Sequence, residues 1–357
     1  MKKIIIVSTV GLIYDGITSV ITSYLEDMNK EGLDIYVVST IKAEPKIVEK
    51  INRMGCSVIY MPSRKEQTLK YFFTLAKFIR RNRIEVLHAH GNSGTLAIEM
   101  LAAWIGGCKK RIAHSHNTKC DQVKADHILR PIFNLLYTDG LACGEDAGKW
   151  LFGKKNFEIL TNGRNLDLYK YNMEKRKQIR DFYGITDEII IGHVGGFFPQ
   201  KNHEFLIEIY KKIKFNYPDC KLFMIGDGPL KELVEKKCEG LNVIFTGAID
   251  NVSDYLNAMD GMLLPSFFEG LPLVAIEWQI SGLPCVISDT ITSECMLTDN
   301  IEYNSITSDP NDWAKQILGM VMSNNRLSSS NIAYEKILNS KFNLTNNVEK
   351  LRQIYIG

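Results

Sequence analysis

Two glutamates eight positions apart, Glu269 and Glu277, stand in the otherwise apolar run PSFFEGLPLVAIEWQISGLPCVISD (residues 265–289). A carboxylate in a segment that reads as protein interior must be paired or hydrogen-bonded, because an isolated buried charge is costly. A lysine, Lys201, ends the run HVGGFFPQK. Four of the seven histidines form two alternating pairs, His88 and His90 in LHAH and His114 and His116 in AHSHN. Lysine neutralises anions, an ionised carboxylate only accepts hydrogen bonds, and alternate residues of a strand share one face. Zinc at the His-x-His pairs is one reading of the histidines, but no neighbouring carboxylate or cysteine completes a ligand set. No Asp-x-Asp occurs, so no metal site and no metal clamp on a diphosphate is expected.

Local signals indicate what must position these groups. Pro272 suits the first turn of a helix and Gly282 the residue just past its end, which predicts a helix over 272–281. A strand ends near Pro265 and another covers 284–288. Glu269 then lies in the loop before the helix and Glu277 one turn inside it. The free N–H groups of that first turn, those of Leu273 and Val274 among them, make an anion site. The remaining chemistry also follows strands. HVGGFFPQKN places Lys201 before the helical pattern HEFLIEIYKKI, and IGDGPLKEL has Gly226 and Gly228 for a tight turn with Pro229 opening a helix.

Short β-branched runs alternate with helical patterns along all 357 residues: KIIIVS, DIYVVS, SVIYM, EVLHAH, RIAHS and GLACG, then IIIGHVG, KLFMIG, NVIFTG, GMLLPS and PCVIS. Near-continuous apolar strands between amphipathic helices predict parallel sheets covered on both faces. The pattern breaks at 162–184 into a turn and a highly charged helix. The expected fold class is therefore α/β, two Rossmann-like domains facing across a cleft, with a boundary near residue 165. The net charge of +2 hides an asymmetry: residues 1–160 hold 23 Lys and Arg against 16 Asp and Glu, and the remainder 20 against 25. A basic first half suggests an anionic partner there. Eight scattered cysteines form neither a disulfide framework nor a zinc site. The N-terminal apolar run is too short for a signal peptide, and no run is long enough to span a bilayer. These features suggest a cytoplasmic protein, soluble or peripheral on a membrane, with no nucleic-acid partner.

With Glu-x7-Glu inside PSxxEGLPxxxxE and the lysine loop, the chain resembles the retaining glycosyltransferases of family 4, which have the GT-B fold. Within them it resembles enzymes of bacterial capsule and exopolysaccharide synthesis. The resemblance implies an acceptor-binding domain over 1–165, a nucleotide-sugar domain over 166–340, and a final helix, 341–357, crossing back to the first. It implies that Glu269 faces the donor sugar, that backbone N–H groups of Gly270, Leu271 and Leu273 meet sugar and diphosphate, and that Glu277 accepts both ribose hydroxyls. Lys201 would neutralise the departing diphosphate. His116 would stand beside the reacting carbon, with His90 and Asn117 on the acceptor side. Gly16 would belong to a glycine loop at the phosphates, and Gly226 and Gly228 to the donor site.

Two departures matter. The usual Gly-Gly pair is here Asp15-Gly16. The usual arginine before the lysine is here Gly196, while Arg164 is gained in TNGRNLD, which suggests that Arg164 supplies the missing guanidinium. The resemblance implies a donor linked to uridine diphosphate, no cofactor, and a saccharide or polyprenyl-diphosphate-linked acceptor. Residues 69–83 and 104–111 mix aromatics with bases and suit either an anionic membrane surface or core helices with solvated basic ends. A nucleotide-sugar epimerase or hydrolase, and a non-catalytic sugar-nucleotide-binding partner of another transferase, are the alternative readings.

Overall fold

The computed structural model describes residues 1–13, 15–120 and 122–357. Tyr14, within the first-strand loop, lies outside them. The chain divides into two compact units, one of residues 1–163 with 344–357 and one of residues 164–343.

In the first unit, strands β1 (Lys2–Ser8), β2 (Leu33–Ser39), β3 (Ser57–Tyr60), β4 (Val86–His90), β5 (Lys110–Ser115), β6 (Asp139–Ala142) and β7 (Glu158–Ile159) form a parallel sheet. Their order is β3-β2-β1-β4-β5-β6-β7. In the second, β8 (Ile190–Val194), β9 (Lys221–Ile225), β10 (Val243–Gly247), β11 (Gly261–Leu264), β12 (Cys285–Ser288) and β13 (Ile301–Asn304) run β10-β9-β8-β11-β12-β13, again parallel. Every residue of β4, β8, β11 and β12 is buried, which is why these strands read as near-continuous apolar runs. In each sheet the order reverses once, between β1 and β4 and between β8 and β11. Such switch points open a crevice beyond the strands' carboxyl ends.

The last helix, Leu344–Ile356, packs on the core of the first unit through Leu344, Val348, Leu351 and Tyr355. Three local expectations need correction. The helix after the IGDG turn begins at Lys231, two residues beyond Pro229. The helix that carries Glu277 is Leu273–Ile280, with Pro272 as the residue before it. Strands β7 and β13 had no sequence counterpart: the first is two residues long, and IEYN at the sheet edge lacks an apolar run. Gly282 does stand just past its helix with φ of 69°, and a Cβ there would lie 2.5 Å from the Ser330 amide nitrogen.

Candidate functional site

Because β8 and β11 are neighbours, the loops leaving their carboxyl ends run side by side, and the Phe267 N–H donates to the Gln200 carbonyl at 2.9 Å. The first loop ends in a tight turn, Pro199–Lys201, with Asn202 next in the left-handed region at φ 53°. The second carries Ser266 and Glu269 into the helix Leu273–Ile280. Lys201 Nζ lies 2.6 Å from Glu269 Oε1. Ser266 Oγ donates to the same oxygen at 2.8 Å, and Gln200 Nε2 to Oε2 at 3.1 Å. Lys201 and Glu269 side chains are 16% and 10% exposed, so water screens this pair far less than a surface one. Beyond Glu269 come exposed Gly270, half-buried Leu271 and Leu273, and the first turn of the helix, whose leading N–H groups have no intrahelical acceptor.

The third glycine loop braces the first. A Cβ on Gly226 (φ 145°) would stand 2.1 Å from the Gly195 carbonyl oxygen, and one on Gly228 (φ 158°) 2.7 Å from the Phe197 nitrogen. Both positions need glycine for backbone-to-backbone approach as much as for the turn. A Cβ on Gly196 would fall 2.7 Å from the exposed Phe198 ring.

Glu277, four residues into the apolar helix, is buried, and the structure brings Arg164 to it: Arg164 Nε and Glu277 Oε1 are 2.5 Å apart. The Arg164 main chain is itself fixed, its N–H donating to the Phe342 carbonyl at 2.8 Å. The phenol of Tyr169 is held well above the ordinary tyrosine range, by burial first and then by the Glu277 charge, with Arg164 opposing.

In the first unit the two histidine pairs lie on adjacent strands, His90 opposite His114 in register. Their rings form one stacked group, with His88–His90 centroids 4.1 Å apart and His114–His116 centroids 4.2 Å apart. His90 Nδ1 meets His116 Nε2 at 2.8 Å, and His88 Nε2 meets His114 Nδ1 at 3.2 Å. His88 Nδ1 reaches the Tyr355 hydroxyl of the final helix at 2.7 Å. Burial is the first cause that lowers all four pKa values, His116 to about 4, so the group is neutral at neutral pH. His116 is further held by its N–H to Asn92 Oδ1 at 2.8 Å, while Asn117 is exposed beside it.

Nitrogens of His88, His90 and His114 lie within 4.8 Å of one another, as a metal would need. Among the described residues the small cavity beside them is lined by Ile6, Val20, Ile21, Tyr24, Leu25, Met28, Leu351 and Tyr355, with no carboxylate or thiol to offset a dication.

The first-strand loop differs in kind. Asp15 caps the helix Gly16–Asp27, its Oδ1 accepting the Thr18 N–H at 2.8 Å, so a carboxylate already stands at the N-terminus that Gly16 opens.

The sequence reading missed Ser266, Gln200, Asn92, Tyr169 and Tyr355. Ser266 and Gln200 adjoin motif residues and were open to local inspection. Tyr355 gave no local signal.

A family profile described as "Glycosyl transferases group 1" matches residues 188–323, and one described as "Glycosyl transferase 4-like" matches residues 9–139. A Bacillus subtilis (strain 168) protein named as a glycosyltransferase, EpsF, is 35% identical over 69% of this chain and 68% of its own length. An Escherichia coli protein named UDP-Gal:alpha-D-GlcNAc-diphosphoundecaprenol alpha-1,3-galactosyltransferase is 26% identical over 81% of this chain and 79% of its own. The crystal structure of Anabaena HepE in complex with UDP superposes with a TM-score of 0.78 over 99% of each chain, at 14% identity.

Proposed function

Since this chain belongs to the group 1, family 4-like glycosyltransferases with the GT-B fold, we propose that it moves a hexose or N-acetylhexosamine from a UDP-linked sugar to a saccharide carried on a polyprenyl diphosphate. The transfer retains anomeric configuration, needs no metal or cofactor, and serves capsule or exopolysaccharide synthesis. The observation that carries this reading is the Lys201–Glu269 pair beside a helix N-terminus at the switch point of the second sheet. Breaking a glycosyl phosphate bond leaves charge on the diphosphate, and a fixed ammonium with helix amides stabilises that charge without reorganising. Glu269, held by Ser266 and Gln200, orients Lys201 and accepts from the sugar hydroxyls. Glu277 accepts from the ribose. Gly270, Leu271 and Leu273 present amides to sugar and diphosphate, while Gly196, Gly226 and Gly228 keep the bracing loops close. In the first unit His116, a neutral imidazole positioned by His90, and Asn117 serve the acceptor side.

The names of the relatives support donor and acceptor: HepE was crystallised with UDP, and the Escherichia coli relative is named for UDP-galactose and a lipid-diphosphate acceptor. No helix among the described residues is long and apolar enough to cross a membrane. Phe73, Trp104 and Ile105 are nevertheless exposed, and Lys2, Arg80, Arg83, Lys109 and Lys110 line one groove of the first unit. This basic, aromatic face suits peripheral binding to the anionic inner leaflet of the plasma membrane, where the acceptor would be met.

A thermal-shift panel of nucleotide sugars tests the donor, since a ligand at a hundred times its Kd adds about 2.7 kcal/mol of stability. NMR of the product of transfer to a polyprenyl-diphosphate saccharide reads the anomeric outcome. Donor consumed equally with and without acceptor would favour hydrolysis or epimerisation instead.

A further inference from the structure

We infer that Arg164 is a specificity-determining residue that makes the nucleotide site answer to nucleoside diphosphates and not to nucleosides. It covers the ribose-binding carboxylate and yields it only when a diphosphate offers the guanidinium a better partner. The inference rests on the donor site proposed above.

Among the described residues two ion pairs bear on that site: Lys201 with Glu269 at 2.6 Å and Arg164 with Glu277 at 2.5 Å. A diphosphate entering there brings negative charge to a locally neutral place, and Lys201 is already engaged. Gly196, beside the lysine loop, offers no side chain at all. Arg164, held on Glu277, is a second cation of this unit that could turn to the diphosphate.

Geometry permits the exchange. Glu277 is four residues beyond Leu273, so it lies about 6 Å along the helix axis from the first amides. Its side chain points back toward them. A guanidinium bound at Glu277 therefore lies about one helical turn from a phosphate at that N-terminus, a span a rotating arginine side chain can cover, while its own backbone stays bonded to Phe342. Energetics give the direction. The Glu277 and Arg164 side chains are 8% and 15% exposed, so separating them without replacement strands a charge in a poorly hydrated place. A ribose diol supplies two neutral donors to Glu277 and nothing to Arg164. A diphosphate offers the planar guanidinium two charged oxygens at once, the stronger, charge-assisted class of hydrogen bond. A nucleoside thus meets the cost of opening the pair and a nucleoside diphosphate recovers it.

Titration calorimetry of the full chain with uridine and with UDP tests the exchange in wild type, Arg164→Gln and Arg164→Lys. In Arg164→Gln the affinity for UDP should fall about tenfold or more. Uridine should bind at least as tightly as to wild type, so the ratio of the two affinities collapses. Arg164→Lys, which keeps the charge but loses the planar fork, should fall between. A ratio changed less than about threefold in both variants, or uridine and UDP weakened together, overturns the inference. If circular dichroism shows Arg164→Gln unfolded, Arg164→Lys decides alone by the same threefold criterion. Failure of the underlying site looks different: wild type would bind neither UDP nor ADP, GDP or TDP, and the inference would fall with it.

Discussion

The histidine group of the first unit and the carboxylate–cation group of the second occupy comparable places, at or beyond the carboxyl-terminal parts of central parallel strands. They are built on opposite electrostatic plans. His88, His90, His114 and His116 are neutral, and they are held by stacking, by each other's nitrogens and by Tyr355. Glu269 and Glu277 instead each face a cation, Lys201 and Arg164. Burial with or without a facing counter-charge explains the difference. An imidazole can shed its proton when water is removed, whereas a lysine–glutamate or arginine–glutamate pair keeps both charges by facing each other. The charged group is suited to stabilising charge that forms and departs. The neutral group is suited to positioning without attracting counter-ions.

The largest test of that contrast is Lys201→Ala, which removes a charge acting on the leaving group. Turnover should fall by about 10²–10³, with Lys201→Arg retaining part of it. Transfer rates at saturating donor measure this, and an unchanged rate would detach Lys201 from the reaction. Next comes Glu277→Ala. Losing a charged acceptor for the ribose should weaken UDP binding by about 2–3 kcal/mol, while Glu269→Ala should act mainly on turnover. Calorimetry that finds UDP bound equally well by Glu277→Ala would remove the ribose assignment.

The neutral group is tested by acid. All four of its histidines, and His193 and His203 in the second unit, have pKa values lowered by burial, His116 and His203 to about 4. Below about 6.5 the unfolded chain takes up protons that the folded chain refuses. Stability present above that pH is therefore lost as pH falls, levelling off near 4 for His116 and His203. Each imidazole contributes up to about 1.4 kcal/mol per pH unit inside its window. Urea denaturation at pH 7.5, 6 and 5 should show the loss, and His116→Gln should lessen it. A flat profile would mean that these rings titrate normally. The smallest effect expected is from chelation. Transfer should persist in excess EDTA if, as proposed, Lys201 and the helix amides take the place of a metal. Complete loss, restored by Mg²⁺ or Mn²⁺, would overturn the reading of the diphosphate site, and restoration by Zn²⁺ alone would point to His88, His90 and His114.

Much of this was legible before any coordinates. Near-continuous apolar strands between amphipathic helices gave the two parallel sheets, and the Pro272 and Gly282 signals bounded the helix that carries Glu277 to within a residue at each end. The strands β7 and β13 were not legible, because two residues and a polar edge carry no periodicity. Arg164 was legible as an oddity but not as a partner of Glu277.

What the sequence by itself determined was therefore each residue's local setting: Glu269 in a loop, Glu277 on a helix, Lys201 at a strand end, histidines alternating on β4 and β5. Short-range dihedral preferences and periodicity decide such matters, and they act over a few residues. What only the tertiary structure decided was who faces whom. Lys201 meets Glu269 across 68 positions, Arg164 meets Glu277 across 113, and Tyr355 meets His88 across 267. Those meetings depend on strand order and on where a distant helix docks. Both follow from burying whole apolar faces together, and no short stretch of the chain carries that information.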